Sequence, residues 1–338
     1  MPRIPAIITN SIIYLYGDQD AADTGEDFGG SGFLFSIEAT PKPASHLYAI
    51  TAAHVIHNGF TVVRINLRHD SSRQERTESL PFTKDNWIID PINDLAVCPL
   101  PPDFNPLKFS FSVVDKRFLI SRDDFVGNDI GPGDEVVYIG RFKQHAGKFM
   151  NMPSVRFGHI SMNPSEEEPI IYELCGKEKR QTAFLVEARS RSGYSGSPVF
   201  TLNQHAINNR RAVFPMFDMR LLGIDFYHLT EEIKLSNVGY SVEYKAEVHA
   251  GMMGVVPAWY LLDLLANSPR IAEQQKRDEE YYASQAMTQG EFDMPAIPLV
   301  QHYAEEMSGK TINVITSTEA NKLAFPQKPM KAEPPSSD

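Results

Sequence analysis

The sequence predicts an all-β protein followed by a short helical and irregular C-terminus. Three observations carry this. From residue 11 to about 256, short runs of β-branched and aromatic residues alternate with Gly, Pro, Asn and Asp, the pattern of many short strands separated by turns, which pack as a barrel or a sandwich. The chain of 338 residues is 42% hydrophobic and 22% charged, so it can bury a large core and fill two or three domains. At residue 257 the pattern changes to helical spacing, and from about 288 Pro, Ser, Lys and Glu accumulate.

The strand runs are 11–16, 32–37, 47–51, 61–67, 94–99, 135–140, 154–161, 183–187, 198–201, 220–227 and 253–257. Before the first of them, Thr9, Asn10 and Ser11 interrupt the apolar run that a secretory signal needs. No segment has the roughly 20 apolar residues that span a bilayer, so the expected location is cytoplasmic. Residues 112–131 carry several charges and few apolar runs, as a crossing between two β-domains would. The expected boundaries are 1–118, 119–267 and 268–338. In 257–267, Trp259, Leu261, Leu262, Leu264 and Leu265 make one apolar helical face behind Pro257. Residues 270–286 read as a solvated helix, and the rest of the tail as extended or disordered, with a short helix near 300–307.

The net charge of −11 argues against general nucleic-acid binding, which needs clustered Lys and Arg, and against anionic membrane surfaces. Cys98 and Cys175 are too few for a disulfide framework. One bridge or two buried thiols both fit; the apolar runs around each favour free thiols.

Three segments carry chemistry. In Arg191-Ser-Gly-Tyr-Ser-Gly-Ser-Pro-Val-Phe200, glycines flank Ser195 and let the backbone turn tightly around it. A serine hydroxyl is a weak nucleophile that needs a base, and the N–H groups of Gly193 and Ser195 can converge on a developing oxyanion. In Tyr48-Ala-Ile-Thr-Ala-Ala-His-Val-Ile56, a strand ends in small residues and delivers His54, whose residue type suits general-base work near neutral pH. His57 is its decoy. In Asn93-Asp-Leu-Ala-Val97, Asp94 leads into an apolar strand, where a buried carboxylate needs a partner. The ring N–H of His54 would supply one. Asp90 is its rival, but Pro91 and no strand follow it. The serine segment, whose alternative is an ordinary Gly/Ser turn, is the strongest signal; taken alone, His54 is more readily a structural histidine and Asp94 a capping aspartate, and the order of the three with their gaps of 40 and 101 residues joins them into one site.

These segments resemble the trypsin-like (chymotrypsin-fold) serine peptidases, over about residues 11–267. The carriers are Gly-Ser-Gly-Phe at 30–33, Thr-Ala-Ala-His at 51–54, Asp-Leu-Ala-Val at 94–97 and Gly-Tyr-Ser-Gly-Ser-Pro at 193–198. Residues 131–136 and 155–161 look like second-barrel strands of bacterial members, and 222–227 is similar to the strand that pairs with substrate. The resemblance implies two six-stranded antiparallel β-barrels, with the active site in the cleft between them, and serine endopeptidase activity on a protein or peptide substrate through an acyl-enzyme, with no metal or cofactor expected. It makes His54, Asp94 and Ser195 a catalytic triad and the Gly193 and Ser195 N–H groups the oxyanion hole. Arg189 would lie at the base of the P1 pocket, with Phe226 and His228 along its wall. An arginine there would suit an acidic P1 side chain; alternatively Arg189 pairs internally with Glu187 or Asp225, or reaches solvent.

Departures from the family are informative. Tyr194 stands where the trypsin group has an aspartate that captures a freed N-terminus, so activation by N-terminal cleavage is not expected. The 71 residues after 267 lack the alternating apolar pattern of a PDZ domain. Two other readings compete: a catalytically silent binding scaffold on the same fold, and a protease whose tail docks a partner or covers the cleft.

Overall fold

The computed structural model describes residues 4, 6–42, 44–68, 76–127, 130–174, 177–189, 192–203, 218–236 and 243–289. Cys175, the oxidation state of any pair it forms, and the tail from 290 on, including the helix expected near 300–307, lie outside the described residues.

The N-terminal strands are β1 (Ile12–Tyr16), β2 (Phe28–Glu38), β3 (Ser45–Thr51), β4 (Val62–Asn66), β5 (Thr77–Leu80), β6 (Ile88–Ile89), β7 (Ala96–Pro99) and β8 (Val114–Asp115). They form an eight-stranded sheet in the order β5-β4-β1-β2-β3-β7-β6, with β8 parallel to β2. β1 lies between two partners and every one of its residues is buried, which its unbroken Ile-Ile-Tyr-Leu-Tyr run requires. β2 is long enough to serve both sides of a corner: Phe28–Phe33 pair with β1 and Phe33–Glu38 with β3. β3 ends at Thr51 and feeds the short helix Ala53–His57.

The other half is the closed barrel β10-β13-β16-β15-β14-β9, built from β9 (Glu135–Gly140), β10 (Ser154–Met162), β13 (Phe184–Glu187), β14 (Pro198–Asn203), β15 (Asp218–Ser236) and β16 (Glu243–Pro257). Every ladder in it is antiparallel. Its interior is a cluster including Val136, Tyr138, Phe184, Val199, Leu222 and Val255; each such large side chain contributes about 1.5–3 kcal/mol by burial.

Two expectations change here. One six-stranded barrel closes; the N-terminal half is instead an eight-stranded sheet, without a β5–β6 ladder among the described residues to close it. Its extra strands β6 and β8 are two residues each, too short for a periodic signal. The hairpin of β11 (Ile170–Leu174) and β12 (Lys177–Gln181) forms a separate two-stranded sheet, hidden in the sequence by the polar run Lys-Glu-Lys-Arg-Gln. The expected strands 220–227 and 253–257 are parts of a longer ribbon, whose rungs continue from Thr230↔His249 to Ser236↔Glu243.

The helix Ala258–Asn267 buries Trp259, Leu261 and Leu265 as its apolar spacing requires, with Leu262 and Leu264 half-buried. The Trp259 ring packs 5.4 Å from that of Phe125 and 5.8 Å from that of Phe184. The next helix, Pro269–Gln289, is not merely solvated. Ile271, Asp278 and Tyr282 are buried, Asp278 Oδ2 lies 3.3 Å from Nδ1 of the buried His46, and Gln275 Nε2 donates to Tyr48 Oη at 2.8 Å. The helix thus clasps β3 through polar contacts that a search for apolar stripes does not see. None of the described helices is long and apolar enough to cross a membrane.

Ile271→Ala is expected to lower the unfolding free energy by about 2–5 kcal/mol, read as a lower urea midpoint at unchanged slope. An unchanged midpoint would mean that this helix is no part of the cooperative fold.

Candidate active site

Asp94 sits in the loop before β7 with its side chain only 3% exposed, and His54 opens the helix after β3 with its side chain 15% exposed. They make two hydrogen bonds. The His54 backbone N–H donates to Asp94 Oδ1 at 2.7 Å, and the ring Nδ1 lies 2.6 Å from Oδ2. A carboxylate only accepts, so Nδ1 carries the proton. The opposite nitrogen, Nε2, is thereby left as an acceptor. Burial disfavours the charged ring, but the hydrogen bond and charge of Asp94, with the charge of Asp225, outweigh it. The His54 pKa therefore lies above its ordinary value. His57 points to solvent.

Asp94 is held from behind by a residue that the sequence did not mark. Its N–H donates to Gln181 Oε1 at 3.1 Å, while Gln181 Nε2 donates to Asn93 Oδ1 at 2.9 Å and to Thr182 O at 3.0 Å. Gln181 is the last residue of β12 and is buried. No local signal announces it, because its partners are 87 and 88 residues away. Asp90 builds the turn instead: its Oδ1 accepts from the N–H groups of Ile92 and Asn93 at 2.7 and 2.8 Å.

The serine loop is fastened on two sides. Against β2, the Ser31 N–H donates to Ser195 O at 2.8 Å and Ser31 Oγ donates to Gly193 O at 2.7 Å. Against β15, the Gly196 N–H donates to Asp225 O at 2.7 Å and the Asp225 N–H to Ser197 O at 2.9 Å. Gly193 and Gly196 have φ of +104° and +86°, in the region that favours glycine. A Cβ at Gly196 would also collide with Ser31 O and Thr51 Oγ1. This contact brings the loop against the end of β3, from which His54 emerges two residues after Ala52.

Tyr194 packs into the interior of the barrel. It is fully buried, its ring meets that of Tyr138 edge-on at 5.4 Å, and its hydroxyl bonds Ser154 and accepts from Arg156 Nε at 2.7 Å. It thus anchors the loop in the barrel from the position where the resemblance has a carboxylate.

Among the described residues, the N–H groups of Gly193 and Ser195 donate to no protein acceptor, and no hydrogen bond joins Ser195 Oγ to His54. Ser195 is half-buried. The side chain of Arg189 is exposed, and its carbonyl accepts from Arg156 Nη1 at 3.1 Å. Phe226 is buried, its ring 5.2 Å from that of Tyr172. His228 is half-buried beside His249, and both its ring nitrogens lack a partner among the described residues.

No protein-family model matches the sequence, and no curated protein matches it. Among solved structures the fold is similar to the Rv3671c protease in an inactive form, with a TM-score of 0.37 and 14% identity over 77% of this chain and 90% of that one. It is similar also to a serine-to-alanine variant of Rv3671c from M. tuberculosis H37Rv, in an inactive form, with a TM-score of 0.37 and 14% identity over 79% and 95% of the two chains. An overlap this low adds nothing to the site's own geometry.

Two outcomes are expected. Ser31→Ala removes the bond to Gly193 O and the acceptor used by the Arg141 N–H at 2.8 Å, which should cost about 2–4 kcal/mol by denaturant unfolding; a cost near zero would show the loop to be held elsewhere. Because the folded-state pKa of His54 is raised, its contribution is full below the unfolded value of about 6.5 and is lost as pH rises through the folded midpoint. The stability gap between wild type and His54→Gln should therefore be widest in mild acid and narrow toward alkaline pH. A gap that widens with pH would reverse the assigned sign.

Proposed function

We propose that this chain is a serine endopeptidase. The observation that carries the reading is the buried Asp94 carboxylate, which grips His54 at both its backbone N–H and its ring Nδ1. That arrangement leaves Nε2 as a base, beside a loop whose tight turn presents a serine.

In this reading Ser195 Oγ attacks the carbonyl carbon of a peptide bond while its proton passes to His54 Nε2. The carbonyl π pair moves onto oxygen, where the Gly193 and Ser195 N–H groups receive it. Collapse expels the amine, which takes the proton from His54, and leaves an acyl-serine. Water, deprotonated by the same imidazole, releases the acid. Asp94 stays ionised throughout and stabilises the imidazolium. In this reading the P1 side chain lies against the segment of Arg189, Phe226 and His228.

A catalytically silent scaffold is the second reading. What favours it is the lack of a bond between Ser195 Oγ and His54 among the described residues, although such bonds are often long before substrate binds. Incubation with a fluorophosphonate, followed by intact-mass measurement, separates the two. A single adduct that is lost in Ser195→Ala is expected, with peptide turnover lower by on the order of a million-fold in that variant and ten-thousand-fold in Asp94→Asn. No adduct on the folded wild type would favour the scaffold.

A further inference from the structure

A second buried acidic residue borders the serine loop. Asp225 on β15 has no exposed surface. Its backbone forms the rear wall of the serine loop, accepting from Gly196 and donating to Ser197. Gly196 in turn lies so close to the strand end that delivers His54 that a Cβ on it would collide with Thr51 Oγ1 and meet the Ala52 nitrogen. The β15–β16 register shifts between Asp225 and Tyr227, and such a bulge re-aims side chains beside active sites.

We propose that Asp225 is a second counter-charge for the His54 imidazolium, a positioning residue that acts from the serine loop's side of the site in addition to Asp94. This rests on the reading of His54 as the base for Ser195. A carboxylate in the interior acts on a neighbouring charge with little screening by water. Consistent with that, the charge of Asp225 strengthens His54's hold on its proton.

The groups around the pair come from four elements. Asp94 precedes β7, Tyr172 of β11 lies near Asp94, Tyr138 of β9 lies near Asp225, and Arg156 of β10 faces Tyr138. Burial, chiefly, pushes both phenols well above their ordinary range, so they stay neutral where histidine titrates. Two carboxylates are then the negative charges acting on the ring. When the Ser195 proton moves to Nε2, the imidazolium forms in the field of charges that already occupy their places, with no reorganisation needed. The same Asp225 residue fixes the loop through its backbone, so the charge that tunes the base and the bonds that place the nucleophile belong to one position.

The test is a titration of the His54 ring by NMR in the full-length protein, with labelled histidine and the His54 signal assigned by its loss in His54→Gln. Asp225→Asn should move the midpoint to lower pH, and the rising limb of the fluorophosphonate labelling rate should move with it. Asp225→Ser, which removes the charge with a smaller side chain, should do the same. An unchanged midpoint in either folded variant overturns the proposal. If neither folds, the side-chain carboxyl carbon of Asp225 in the wild type must shift at the His54 midpoint; no response there overturns it equally. The ring titration needs no turnover, so a silent Ser195 would overturn the peptidase reading and leave this measurement standing.

Discussion

Ser31 is the residue through which the two halves of the site are held in register. It lies on β2 opposite Tyr14 and is fully buried. Its N–H and its hydroxyl hold Ser195 O and Gly193 O, its hydroxyl also accepts from the Arg141 N–H, and its carbonyl accepts from Thr51 Oγ1 at 2.7 Å. The serine loop of one half and the histidine strand of the other therefore hang on one small side chain and its peptide groups. A larger residue could not stand so close, and a residue without a hydroxyl would leave buried donors and acceptors unmatched.

Charge is managed around this hinge by burial with partners. Asp94 is sheltered by the β11–β12 hairpin and bonded at its carboxylate by His54 and at its N–H by Gln181. A buried carboxylate is expensive alone and strongly effective when paired, and this one spends its lone pairs on a single histidine. Deeper in the N-terminal half, Arg64 and Arg141 are both fully buried. The guanidinium of Arg141 lies 4.6 and 4.4 Å from the ring centres of Tyr14 and Tyr16, and its Nη2 donates to Tyr16 Oη at 2.6 Å. Burial pushes its pKa down to about 10, so it remains a cation at neutral pH, held by aromatic faces directly beside the backbone N–H that reaches Ser31.

Tyr194 shows how a phenol can anchor such a loop. A carboxylate at that position would need a cation to settle it. A phenol needs only a hydrogen-bonded niche, which Ser154 and Arg156 supply. The loop is anchored by groups that the folded barrel already contains.

The triad candidates were legible because each lies in a short local pattern: small residues before His54, an apolar strand after Asp94, glycines around Ser195. Most of the strands were legible for the same reason, since alternation and turn residues are local properties. The sequence by itself determined which side chains could react and the strands that carry them. Only the tertiary structure decided what holds them there. Gln181, Ser31 and Asp225 meet their partners across 87, 164 and 29 residues, and a polar residue whose partner is distant in the chain leaves no periodicity behind. The strand order of the N-terminal sheet was decided there too, because two-residue strands such as β6 and β8 exist only by virtue of the neighbours they pair with.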